Sequence, residues 1–196
     1  MTSKFSLFNE RGIKAFATYG NIRYLEMPKE KRGPWALAFR SFKYRMYWLS
    51  LDLPLQETIS YESFLRENCA GFDNPANQGE IIAFVAVFVE LGGTLRDLAE
   101  WRKTIGWRLW SEPRDVLRFV KMGLGPADYE AHRKSVSMDN LEKFINAGYT
   151  LNEYLFVSKL SGIPLVAAKV VKRLIEKGYK PGAERYDEED EELDLV

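Results

Sequence analysis

Phe88-Val-Glu-Leu-Gly92-Gly-Thr94-Leu-Arg-Asp97-Leu98 is an eleven-residue phrase that does not occur once only. It returns as Phe119-Val-Lys-Met-Gly123-Leu-Gly125-Pro126-Ala-Asp128-Tyr129 and as Phe144-Ile-Asn-Ala-Gly148-Tyr-Thr150-Leu-Asn-Glu153-Tyr154. A looser fourth version is Leu174-Ile-Glu-Lys-Gly178-Tyr-Lys180-Pro-Gly-Ala183-Glu184. Each slot has a mechanical reading. The aromatic and its apolar neighbour belong to the last turn of a helix. The glycine four residues on is where a helix ends in a left-handed conformation, which glycine adopts without strain. Thr94, Gly125 and Thr150 follow as N-caps, and Pro126 suits a first helical position. Asp97, Asp128 and Glu153 come three residues after those caps, the spacing of a capping box. The phrase reads as an instruction to end one helix, turn and start the next.

Gly92, Gly123, Gly148 and Gly178 are 31, 25 and 30 residues apart. Such intervals hold two short helices each, and spacing of this order marks a repeat array. The turns between paired helices are visible at Gly106–Pro113, Ser135–Asp139 and Ser161–Pro164. Helices are therefore predicted near 78–91, 95–105, 112–122, 126–134, 138–147, 151–160 and 164–177. The order of apolar pair, glycine, cap and acid is similar to the repeats of mitochondrial transcription termination factors, over residues 88–184 at most. The prolines that mark those repeats are missing at the matching places, and the chain is not assigned to that family.

Upstream the pattern changes. Lys14–Tyr19 and Ile22–Met27 flank Gly20-Asn21, a two-residue hairpin signal, and Trp35–Arg40 and Tyr44–Leu51 read as further strands. This predicts three or four antiparallel strands within residues 11–53, then a short helix at Ser60–Glu67. The expected class is α+β: a small N-terminal antiparallel β-meander followed by an all-α helical-hairpin repeat region. The expected divisions are 1–70 for sheet and short helix, 78–184 for the repeat region and 185–196 for an acidic tail. The loop Gly71–Gly79 separates the two halves.

A chain of 196 residues with 14% aromatic side chains can bury a sizeable core. Its longest apolar run, Ile81–Val89, is about half of a membrane span, so no membrane partner is expected. The start Met1–Phe5 lacks the apolar core of a signal peptide, and Cys69 is the single cysteine, so a cytoplasmic setting is expected. Lys and Arg balance Asp and Glu at 28 each, yet residues 1–50 hold ten bases and three acids. Asp187–Asp194 contains seven acids and no base. Such a run is ordinarily a solvated tail. Its functional alternative is a segment that folds back on a basic surface and competes with an anionic partner.

Catalysis finds little support. His132 is the only histidine and lies among polar neighbours, which leaves no Ser–His or Cys–His pairing and no Cys/His metal set. No phosphate-cradling or dinucleotide glycine motif is present, so neither a cofactor nor a metal is expected. The expectation is a non-catalytic binding or adaptor protein that uses its helical array as an interaction surface. Trp101, Trp107 and Trp110, with Arg114 and Arg118, are the candidate partner-binding residues, because tryptophan and arginine dominate interface hot spots. The alternative is a DNA- or RNA-binding protein. Arg40, Lys43 and Arg45 interleave with aromatics in Phe39–Trp48, as in sheets that stack bases and hold phosphates. Residues 150–178 also resemble a helix-turn-helix, with Lys169, Lys172, Arg173 and Lys177 on one face of its second helix. A third reading is an inhibitor or adaptor of a mobile element that docks on a larger complex.

Overall fold

A computed structural model of the chain describes residues 10–134, 137 and 138–155. The fourth copy of the phrase, the helix-turn-helix candidate beyond residue 155 and the acidic tail lie outside the described residues. The chain divides into two compact units, Met1–Glu130 and Ala131–Val196. In order, the helices are α1 (Glu10–Glu26), α2 (Lys29–Ala38), α3 (Phe42–Leu49), α4 (Leu55–Asn68), α5 (Pro75–Glu90), α6 (Leu95–Ile105), α7 (Arg108–Ser111), α8 (Pro113–Lys121), α9 (Pro126–His132) and α10 (Met138–Asn146). Residues 151–155 begin a further helix.

No strand occurs among the described residues, so the expected N-terminal meander is corrected to α1, α2 and α3 and the fold is all-helical. The physical reason lies at Gly20. It is not a turn residue but sits inside α1, where a Cβ would lie 1.8 Å from the Met46 carbonyl oxygen of α3. Only glycine lets the two backbones approach this closely. The Ser50 hydroxyl lies in the same contact, 2.6 Å from the Phe16 carbonyl oxygen and 2.8 Å from that of Met46. Its single proton ties α1 to the end of α3.

The apparent alternation in Tyr44–Leu51 has a second explanation. Arg45, Met46, Tyr47, Trp48 and Leu49 of α3 are all buried, as are Ser50 and Leu51 after it. A helix surrounded by protein has no polar face, and its helical period disappears from the sequence. Trp48 is fully buried, its ring stacked on Phe39 at 5.7 Å and edge-on to Tyr44 at 6.0 Å and Phe72 at 6.3 Å. The second central helix, α5, starts on the Asn74 cap with Pro75 behind it and buries every residue from Ile82 to Phe88.

The repeated phrase is realised as the same turn in its first three copies. Phe88, Phe119 and Phe144 are at most 1% exposed. Their carbonyls accept from the amides of Gly93, Leu124 and Tyr149 at 3.0, 2.9 and 3.2 Å, the six-to-one bond of a Schellman ending. Gly92, Gly123 and Gly148 take φ of 89°, 74° and 93° as that ending requires. The acids then reach back: Asp97 accepts from the Thr94 amide at 2.8 Å, Asp128 from Gly125 at 3.0 Å and Glu153 from Thr150 at 2.6 Å. Thr94 and Thr150 return the bond to the amides of Asp97 and Glu153, each at 3.2 Å. Leu98, Tyr129 and Tyr154 close each phrase as buried side chains.

Two outcomes are expected. Gly20→Ala destabilises by about 3 kcal/mol or more, because the contact it fills is backbone. Gly33→Ala meets no distant neighbour at its Cβ position, but Pro34 follows it within α2 and disfavours a helical residue with a Cβ, so it changes stability by less than about 1 kcal/mol. The denaturant midpoint should fall much further for Gly20→Ala than it moves for Gly33→Ala. Thr94→Ala costs about 1 kcal/mol at neutral pH. Hydrogen bonds from Thr94 hold the Asp97 carboxyl below its ordinary value. Its stabilising contribution is therefore present above the unfolded-state pKa of about 3.9 and lost as pH falls through the lower folded-state value. The gap between wild type and Thr94→Ala should narrow over that acidic window in a pH series of unfolding curves.

Candidate interaction surface

The three tryptophans proposed to bind a partner occupy different environments. Trp101, on α6, is 4% exposed and meets the Tyr129 ring edge-on at 5.6 Å. Trp110, on α7, donates its indole N–H to the Asn68 carbonyl at 3.0 Å and packs edge-on against Phe84. Trp107 is 69% exposed. The difference follows from the corner between α6 and α7. Gly106 ends α6 at φ 65°, ψ −134°, a conformation that a side chain would strain. The chain turns there and presents Trp107 outward, while Ile105 and Leu109 on either side are buried.

Residues 101–122 hold six Lys and Arg against two Asp and Glu. Part of this charge has structural work. Arg102 donates to the Asn68 carbonyl at 3.0 Å, and Arg108 pairs with Glu130. Lys103 and Arg114 are exposed and Arg118 is partly so. Arg114, Arg118 and Lys121 are spaced to share one side of α8, while Val116, Leu117 and Phe119 are buried.

The N-terminal candidates separate as well. Arg40 and Lys43 are exposed, the Lys43 ammonium lying 5.9 Å from the centre of the Tyr47 ring. Arg45 is buried at 8% exposure and donates to the carbonyls of Phe39 at 3.0 Å and Arg40 at 3.3 Å, at the end of α2. Its guanidinium also lies 5.6 Å from the centre of the Tyr24 ring. Arg32, which holds the Leu25 and Met27 carbonyls at the end of α1, is 5.2 Å from the same ring. Lys169, Lys172, Arg173 and Lys177 lie outside the described residues. Large apolar side chains that sequence patterning did not single out are also exposed: Ile22, Leu25, Leu37 and Phe42. Ile22 and Leu25 fall within the second expected strand and Leu37 within the third; on α1 and α2 they lie away from the buried Phe16, Gly20 and Trp35.

Among the described residues no group of His, Cys, Asp and Glu is arranged to hold a metal ion. Cys69 is buried, and burial pushes its thiol up to about 11, away from thiolate chemistry at neutral pH. Burial likewise pushes the Tyr44 phenol up to about 12. No described helix is long and apolar enough to cross a membrane. Comparison with protein-family models, curated proteins and solved structures finds no match for this chain.

The tryptophans are separable by mutation. Trp101→Ala and Trp110→Ala should each cost about 3 kcal/mol through lost packing. Trp107→Ala should change stability by less than about 0.5 kcal/mol. Thermal unfolding of the three variants checks this ordering.

Proposed function

We propose that this chain is a non-catalytic interaction protein and that it engages a protein partner through the corner between α6 and α8. The observation that carries this reading is Trp107, a large aromatic held in solvent by a glycine-dependent turn and flanked by basic side chains. An exposed tryptophan beside arginines has the composition of an interface hot spot. Its position in the repeat adds support. The interval from Gly92 to Gly123 contains three helices, whereas that from Gly123 to Gly148 contains two among the described residues. The additional element is α7, which starts immediately after Trp107. Extra segments within a repeat gather on one face, and that face is often the binding face.

A protein partner fits better than a nucleic acid because the exposed large side chains are apolar, and Arg45 is held by helix-end carbonyls. The excess of bases over acids around Trp107 favours a partner with an acidic surface. Docking on a larger complex, as an adaptor would, is a narrower form of the same reading. The nucleic-acid reading keeps Arg40 and Lys43, both exposed, with Lys43 beside the Tyr47 ring.

A photo-crosslinking residue at position 107 of the full chain should yield a discrete protein adduct in extract of the source cells. Arg114→Glu with Arg118→Glu should weaken it about tenfold or more, and a crosslinker at position 33 should give none. A salt series with mixed DNA and RNA decides the alternative. Binding that weakens steeply with salt and disappears in Trp107→Ala would replace the protein reading with a nucleic-acid one.

A further inference from the structure

A cavity of about 420 Å³ opens where the end of α1, the body of α2 and the link from α3 to α4 meet. That size lies within the range of small-ligand clefts, roughly 300–1,000 Å³. Trp35, Leu49, Leu53 and Leu55 give it apolar walls. Three charged residues also line it: Arg23, Lys31 and Asp52. Arg23 and Asp52 are paired with each other. Lys31, by contrast, forms no ion pair among the described residues, leaving one cation unbalanced at the edge of an apolar space.

Asp52 is the second observation. Among the described residues it is the one non-glycine with positive φ, at 59°. This left-handed position just past α3 suits glycine, and a side chain there costs about 1–2 kcal/mol. Aspartate is among the residues that tolerate it, and here its carboxylate holds the Arg23 guanidinium at the cavity. A left-handed residue is common just past a helix end; here it sets the Asp52 carboxylate among the cavity-lining residues.

We propose that this cavity binds an apolar carboxylate, with the hydrocarbon part against Trp35 and Leu49 and the carboxylate on Lys31. Two cations against one anion set the sign of the ligand's charge. The apolar walls exclude a highly charged ligand such as a nucleotide triphosphate. The same chemistry has two sources, a free small acid or the C-terminus of a peptide ending in an apolar residue. The site is separate from Trp107, so its test does not depend on the partner reading.

The test follows the Trp35 indole N–H resonance of the full-length protein, assigned with Trp35→Phe. The probes are 3-phenylpropionate, its primary amide, and a tetrapeptide ending in Leu-Phe with a free or an amidated C-terminus. The acid or the free-ended peptide should shift the resonance saturably, and whichever binds more tightly identifies the source. The matching amide should bind about tenfold more weakly, the loss of one charge-assisted contact. Lys31→Gln should raise Kd by a similar factor, Lys29→Gln should leave it unchanged, and Asp52→Asn should lower it a few-fold by removing the competing carboxylate. Lys31 is exposed, so its replacement leaves the fold intact, which circular dichroism verifies. The proposal is overturned if neither probe produces a saturable shift, if acid and amide bind alike, or if Lys31→Gln binds as tightly as wild type.

Discussion

The near-contact of two helix backbones at Gly20 governs the first unit. With α1 against the Met46 carbonyl, the second half of α3 has no solvent face, and its residues from Arg45 to Leu49 are all accommodated by neighbours. Trp48 is enclosed by Phe39, Tyr44 and Phe72, and Gly79 of α5 lets the Tyr47 ring approach to 3.0 Å of where its Cβ would be. Arg45 is drawn into this interior and must find acceptors. The free carbonyls at the end of α2 supply them, and the charge lies over the Tyr24 ring. A buried guanidinium without such partners would be costly. The close approach, the wholly buried second half of α3 and its buried arginine are thus consequences of one steric permission.

The same glycine explains why the two halves of the sequence differ in legibility. Helix ends at Gly92, Gly123 and Gly148 are written in local chemistry: an αL glycine, a cap and an acid within six residues. Their bonds close within the phrase itself, so no knowledge of tertiary contacts is needed to read them. Gly20 is tertiary. Its reason for being glycine lies 26 residues away at Met46, and beside Asn21 it imitates a hairpin turn. The Tyr44–Leu51 stretch misleads for a related cause. Burial on all sides removes the polar residues that would reveal a 3.6-residue period, leaving aromatic and apolar content that mimics a strand.

The candidate functional residues obey the same division. That Trp101, Trp107 and Trp110 cluster is plain in the sequence, but which of them faces solvent depends on the Gly106 corner and on partners as distant as Asn68 and Tyr129. The cavity at Asp52 is harder still to foresee. Its lining comes from three segments, and an aspartate in a left-handed conformation has no local signature, since aspartate also serves at caps and turns elsewhere in this chain. A cavity assembled across elements is invisible to a reading that proceeds one element at a time.

The repeat then acquires a physical meaning that its residues alone do not carry. Positions shared between copies are committed: phenylalanine to the core, glycine to the αL turn, threonine and acid to the cap. Changing any of them costs stability before it can alter recognition. What remains adjustable is the material between phrases, and there the two described intervals diverge, with α7 and Trp107 present in one and no counterpart in the other. A scaffold whose turns are fixed by such local bonds can accept an added helix without disturbing the turns on either side. The exposed tryptophan stands at that added helix's threshold, next to the Gly106 turn and outside the bonds that fix the phrases on either side.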